Sequence, residues 1–226
     1  MILNAKAPSF FRAATACAAL LLLLGVTCGR ATAQPTSAVT RELDAFARAV
    51  SGITTYSATV TIFDQKDAQT QNCVFNYTFS KPSNVTVHVI AGPNTGISLA
   101  WNGGSTIVAR RGSGLMAMFS KTLSLHDPLV TTLQGASIDQ LSFGAILSHA
   151  QQEVDRLSWI PGGTIDGVAA NDLTLNAAGS AADPGLTREV VEMSAATHLP
   201  MRVLGYEGST LVSDIGFSNI KLSARE

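Results

Sequence analysis

The run TREVVEMSAATHLPMRVLGYEGSTLVSDIGFSNIKLS, residues 187–223, decides how the rest of the chain is read. It divides into three strands, residues 187–193, 200–206 and 210–221, rich in β-branched residues. Residues 196–200 make the first connection. Glu207-Gly208 makes the second, where glycine supplies the positive φ that a tight hairpin needs. Such a meander is marginal by itself. Its apolar face calls for more sheet upstream, or for a helix lying across it.

Both are present. Residues 36–52 read as an amphipathic helix, because Val39, Leu43, Phe46 and Val50 recur at spacings of four, three and four. Arg41, Glu42, Asp44 and Arg48 form its solvated side, and Gly52 suits the C-terminal cap. The period then drops to two. Tyr56, Ala58, Val60 and Ile62 alternate with hydroxyl residues, and residues 64–69 form a polar turn. Cys73, Phe75, Tyr77 and Phe79 share one face of the next strand, and Val85, Val87 and Val89 one face of the third. His88 lies on the polar face of that strand, solvated or paired across it. Residues 97–101 and 105–109 flank Asn102-Gly103-Gly104, a strong hairpin signal. Five strands therefore follow one another without a helix long enough for a parallel crossover.

Leu115, Met116, Met118 and Phe119 make a dense apolar knot, and residues 122–128 a short strand. A second helix is expected to start at Ser137, where Ser137 and Gln140 have capping-box spacing. Phe143, Leu147, Ala150, Val154 and Leu157 continue it until Pro161-Gly162-Gly163. Residues 163–176 read as a hairpin about Asp166-Gly167 or one bent strand, with Leu173 and Leu175 inward. The fold class is α+β: a single curved, unclosed antiparallel sheet, a half-barrel, covered by two amphipathic helices.

Residues 1–33 are expected to be a cleavable signal peptide and residues 34–226 a single domain. Lys6 and Arg12 precede an apolar run at residues 13–28, and Ala31-Thr32-Ala33 fits the small-x-small cleavage pattern. The run is short against the ~20 residues that span a bilayer. Gly25-Val26-Thr27 ahead of Cys28 departs from a lipobox. Cleavage removes three basic and no acidic residues, leaving 193 residues with 12 basic and 16 acidic side chains, net −4. That balance argues against a nucleic-acid partner. Only Cys73 survives cleavage, so no internal disulfide is possible. A lone cysteine in an apolar strand pattern reads as a buried small hydrophobe.

Catalytic patterns are scarce. Gly216-Phe217-Ser218-Asn219-Ile220 lacks the final glycine of a nucleophile elbow and lies within a strand. His88, His126, His149 and His198 are scattered, with no metal-ligand spacing. His126-Asp127-Pro128 reads as a turn cap. No enzyme and no cofactor are therefore expected. A large curved sheet can instead enclose an apolar ligand. An acyl chain of about 14 carbons gains on the order of 11 kcal/mol gross on full burial, before association and ordering costs.

The residues Thr197-His198-Leu199-Pro200-Met201-Arg202-Val203, then Tyr206-Glu207-Gly208, then Phe217-Ser218-Asn219-Ile220, resemble the C-terminal half of the LolA-like proteins, periplasmic lipoprotein carriers and their lipid-binding relatives. Phe79-Ser80-Lys81-Pro82 is similar to that family's basic-Pro turn. Residues 123–127 followed by 143–147 are similar to an uncharacterised exported branch. The resemblance spans residues 36–222 and implies an unclosed half-barrel whose concavity receives acyl chains. The family's gating arginine falls on no position here, although Arg110 or Arg111 could border an opening.

The function expected is periplasmic, non-enzymatic binding or carriage of a lipid or lipoprotein acyl chain by a monomer. Expected contacts are Tyr56, Val60, Phe75, Tyr77, Phe79, Val87 and Trp101, with Met116, Met118 and Phe119 as a rim. An alternative is an envelope protein-interaction or stress-sensing module with a filled core. A hydrolase would require distant residues such as His126 and Asp139 to converge.

Overall fold

In the computed structural model, residues 37–112, 120–180 and 185–224 are described. The signal-like segment, Cys28, and Leu115, Met116, Met118 and Phe119 lie outside them. The chain runs α1 (Ser37–Gly52), β1 (Ile53–Lys66), β2 (Gln69–Ser80), β3 (Asn84–Ala91), β4 (Ile97–Trp101), β5 (Thr106–Arg111), β6 (Ser120–Ser124), α2 (Phe143–Gln152), β7 (Leu157–Ile165), β8 (Val168–Asn176), β9 (Arg188–Ser194), β10 (Pro200–Glu207) and β11 (Thr210–Ala224). All the pairings are antiparallel. The order across the 11-stranded sheet is β6-β5-β4-β3-β2-β1-β11-β10-β9-β8-β7, and it does not close. The closing meander therefore sits at the centre: β11 pairs with β1 and joins the first half of the chain to the second. Among the described residues no helix is long and apolar enough to cross a membrane.

Alternation in the early strands sets which side chains enter the core. Tyr56, Ala58, Val60 and Ile62 of β1 are buried, as are Val85, Val87 and Val89 of β3. Helix α1 covers this face with Val39, Leu43 and Phe46. The turns follow the sequence as well. Asp166 and Gly167 both have positive φ, 50° and 81°, as a two-residue hairpin between β7 and β8 requires. His88 is exposed, and its Nδ1 pairs with Ser98 Oγ across β3 and β4 at 3.0 Å.

Five expectations are corrected. Helix α2 is confined to Phe143–Gln152, with Ser142 as its N-cap, Oγ accepting from the Ala145 N–H at 3.1 Å. The Ser137–Gln140 spacing forms half a capping box, the Ser137 N–H donating to Gln140 Oε1 at 2.8 Å, but closes only a turn. Leu157 opens β7, and Pro161-Gly162-Gly163 sits at a register shift inside that strand rather than ending a helix. Asp64, expected in a turn, is wholly buried in β1. Its Oδ1 accepts from Ser213 Oγ at 2.7 Å, which satisfies the desolvated carboxylate. Glu42, expected in water, is also buried and meets His198 Nδ1 at 2.9 Å.

Candidate functional site

The space beneath the sheet's cover is divided between a solid plug and an open groove. The plug is aromatic and lies at α2. Tyr56 stacks on Phe143 with centroids 4.2 Å apart and planes 4° from parallel, and Phe143 meets Phe217 edge-on at 5.5 Å. Two hydroxyls run through it. The Phe143 N–H donates to Tyr56 Oη at 3.1 Å, and Tyr77 Oη donates to the Ile138 carbonyl at 3.1 Å. The two tyrosine rings also meet, tilted by 32° with centroids 5.9 Å apart. Burial raises both phenols well above the ordinary range, and the neighbouring Tyr56 adds to the rise at Tyr77.

The groove lies beside the plug, on strands β2 to β6. Its floor is Ile62 of β1, Cys73 and Phe75 of β2, Val87 and Val89 of β3, Leu99 of β4 and Leu123 of β6. Its roof is the connection at residues 129–141, which contributes Val130, Ile138 and Leu141. That roof is pinned to the sheet. Besides the Tyr77 bond, Gln134 donates from Nε2 to the Gln65 carbonyl at 2.6 Å and from its backbone N–H to Asp64 Oδ2 at 3.5 Å. Buried Asp64 thus ties β1, β11 and the roof together. The cavity encloses about 310 Å³, at the low end of the ~300–1,000 Å³ of small-molecule sites. Among the described residues no Asp or Glu lines it, whereas Arg110, Arg111 and Lys121 do. A second cavity opens between the end of α1 and the start of α2, bordered by Val50, Ile53, Tyr56, Phe79, Lys81 and Phe143.

The expected contact residues are distributed among these places. Phe75 and Val87 line the groove. Tyr56 and Phe79 border the second cavity. Val60 and Tyr77 are 0% exposed core. Trp101 packs half-buried against the core and donates its indole N–H to the Gly104 carbonyl. The groove residues that sequence reasoning missed follow the same alternation as those it named. Cys73 is one of them: it is half-buried at the groove rather than fully enclosed. The cations at the mouth had a legible signal, since Ile107, Ala109 and Arg111 are spaced by two along β5.

No catalytic constellation assembles among the described residues. Asp139 accepts from Ser137 Oγ, and Asp127 Oδ1 caps its own turn by accepting from the Leu129 N–H at 2.9 Å. No group of three metal-ligating side chains occurs among the described residues. Burial pushes the Cys73 thiol up, which lowers its thiolate fraction at neutral pH. Alkylation at the Cys73 peptide, followed by mass spectrometry, is therefore expected to be slower than for a free cysteine at pH 7.5. Filling the groove should slow it further.

No family model matches the chain, and no curated protein does. Several solved structures are similar in arrangement. A domain assigned to outer-membrane lipoprotein sorting from Vibrio parahaemolyticus is 11% identical, with 82% of this chain and 93% of that one covered and a TM-score of 0.41. A LolA superfamily protein from Nitrosomonas europaea is 13% identical, with 83% and 94% covered and a TM-score of 0.40. The Pseudomonas aeruginosa MucA/MucB complex matches at 11% identity, with 84% and 59% covered and a TM-score of 0.41. The chain is similar in arrangement to these structures, one of which is a LolA superfamily protein.

Proposed function

We propose that this chain is an exported, non-enzymatic binding protein that holds one acyl chain in the groove between β2–β6 and its roof. The observation that carries this reading is the groove itself: walled by aliphatic and aromatic side chains, roofed by residues 129–141, and left unfilled beside the buried core. An unfilled apolar space forfeits dispersion contacts, so a fold that keeps one gains by having it occupied. The size suits a single chain rather than a bundle of them. The signal-like residues 1–33 support periplasmic residence as part of this reading. Whether the chain arrives on a free lipid or on a lipoprotein, the walls meet the same methylenes.

The test is displacement of a fluorescent fatty acid, with native mass spectrometry of protein purified from lysate for a resident lipid. Cys73→Trp is the variant to compare, because an indole at that position projects into the groove from a half-buried site. Expelling two methylenes forfeits about 1.6 kcal/mol, more than tenfold in affinity. The expected result is a loss of that size or larger with the melting temperature little changed. Unaltered binding by Cys73→Trp, or no binding by the native protein, would sink the proposal. The plug beneath α2 favours a second reading, a protein-interaction module with a filled core. It predicts no resident lipid and a stable partner in cross-linking from the envelope.

A further inference from the structure

We propose that the groove selects its occupant by charge: a single-chain amphiphile with an anionic head enters tail first and leaves its head group on Arg111 and Lys121. This rests on the acyl-chain reading above and adds the chemistry of the other end of the ligand.

The register places the two cations. On β5, Ile107, Ala109 and Arg111 fall on one face by strand alternation; Ile107 is fully buried and Arg111 exposed. On β6, Leu123 pairs with Ile107 and Lys121 with Ala109, so Leu123 and Lys121 belong to the same face. Leu123 is buried and Lys121 exposed. Two neighbouring strands therefore pass, within two to four residues, from enclosed aliphatic floor to cation at the mouth. Arg111 and Lys121 stand in diagonal register, a separation of about 7–8 Å between backbones that long side chains bridge.

Among the described residues no carboxylate lines the groove, and neither Arg111 nor Lys121 has an ion-pair partner. Arg110, registered with Ser98 and Ser120, also borders the cavity and adds to the positive field. Cations beside low-dielectric walls attract an anion more strongly than the same cations in open water. A guanidinium can take a carboxylate or a phosphate through two parallel hydrogen bonds. An apolar trough that ends on unpaired cations matches the polarity profile of a soap, not of a neutral hydrocarbon.

The experiment compares laurate, dodecyl phosphate and dodecanol as displacers of a fluorescent fatty acid from the mature chain, at low and at 1 M salt. Laurate, dodecyl phosphate or both should displace at about tenfold lower concentration than the alcohol. The gap should narrow at 1 M salt, where the screening length is about 3 Å. Arg111→Glu/Lys121→Glu should abolish the anions' advantage, while Arg48→Glu, on the exposed side of α1, should preserve it. Which of the two anions gains distinguishes a carboxylate from a phosphate head. Equal displacement by all three, or a gap indifferent to salt and to the double substitution, overturns the proposal while leaving chain binding intact. Should the double variant not fold, the salt comparison on native protein decides. Failure of every displacer overturns the acyl-chain reading, and this one with it.

Discussion

Phe143→Ala should destabilise the fold by about 3–5 kcal/mol, the largest loss expected of any single truncation outside the groove. Phe143 is 1% exposed and lies between two rings, stacked on Tyr56 and edge-on to Phe217. Removing it opens a cavity that neither ring can fill, because Tyr56 is held by the bond it accepts from the backbone N–H of residue 143. The same residue begins α2, so the lost packing also loosens that helix at its first turn. Urea titration would measure it. For a domain of this length the midpoint of thermal unfolding should fall by roughly 2–4 °C for each kcal/mol. Leu147→Ala, on a half-buried position of the same helix, should cost clearly less. Equal losses would mean that the plug does not hold the cover in place.

Gly92→Ala is the second large effect, and its cause is backbone geometry. Gly92 has φ of +95°, and a Cβ built there would stand 2.2 Å from the carbonyl oxygen of Asn72 and 3.0 Å from the Cα of Cys73. Both atoms belong to β2 where Asn72 pairs with Phe63 and Cys73 with Ile62, so neither can move without disturbing the β1–β2 ladder. The left-handed conformation alone costs about 1–3 kcal/mol for a residue with a side chain, and the clash adds to it. Gly208→Ala is the control, because Gly208 also has positive φ but open space around it. It should show only the conformational part. The comparison by denaturation isolates the contact with Asn72. Since Cys73 lines the groove, Gly92→Ala should also weaken fatty-acid binding, whereas Gly208→Ala should not.

The strands and their hairpins were legible because period-two alternation and Asn-Gly or Asp-Gly turns are local signals. β1, β2 and β3 follow that alternation, whereas β9 and β10 bury adjacent residues, Val190 with Val191 and Leu204 with Gly205. Helix α2 was overextended for a physical reason. Val154 and Leu157 continue a helical spacing from Phe143, yet Leu157 begins a strand whose alternation shows only once Trp159 is paired with Leu173. Asp64 and Glu42 were misplaced because their partners are remote: Ser213 lies 149 residues from Asp64, and His198 lies 156 from Glu42. The groove was legible only in kind. Phe75 and Tyr77 obey one alternation, but one faces open space and the other the plug. What separates them is the roof at residues 129–141, a stretch of turns without periodicity, so no strand pattern could say which inward residues it leaves uncovered.

A sheet that stops short of closure keeps two raw borders, and each could seed growth with another molecule by backbone pairing. The borders here are β6 and β7. The first is five residues long and carries Lys121, so a docking strand would find a short template and a charge to bury. The second is broken by Pro161 at a register shift between Ile160 and Gly163, which interrupts the row of amides an incoming strand would read. The sheet can therefore stay open at both borders without becoming the first rung of a filament.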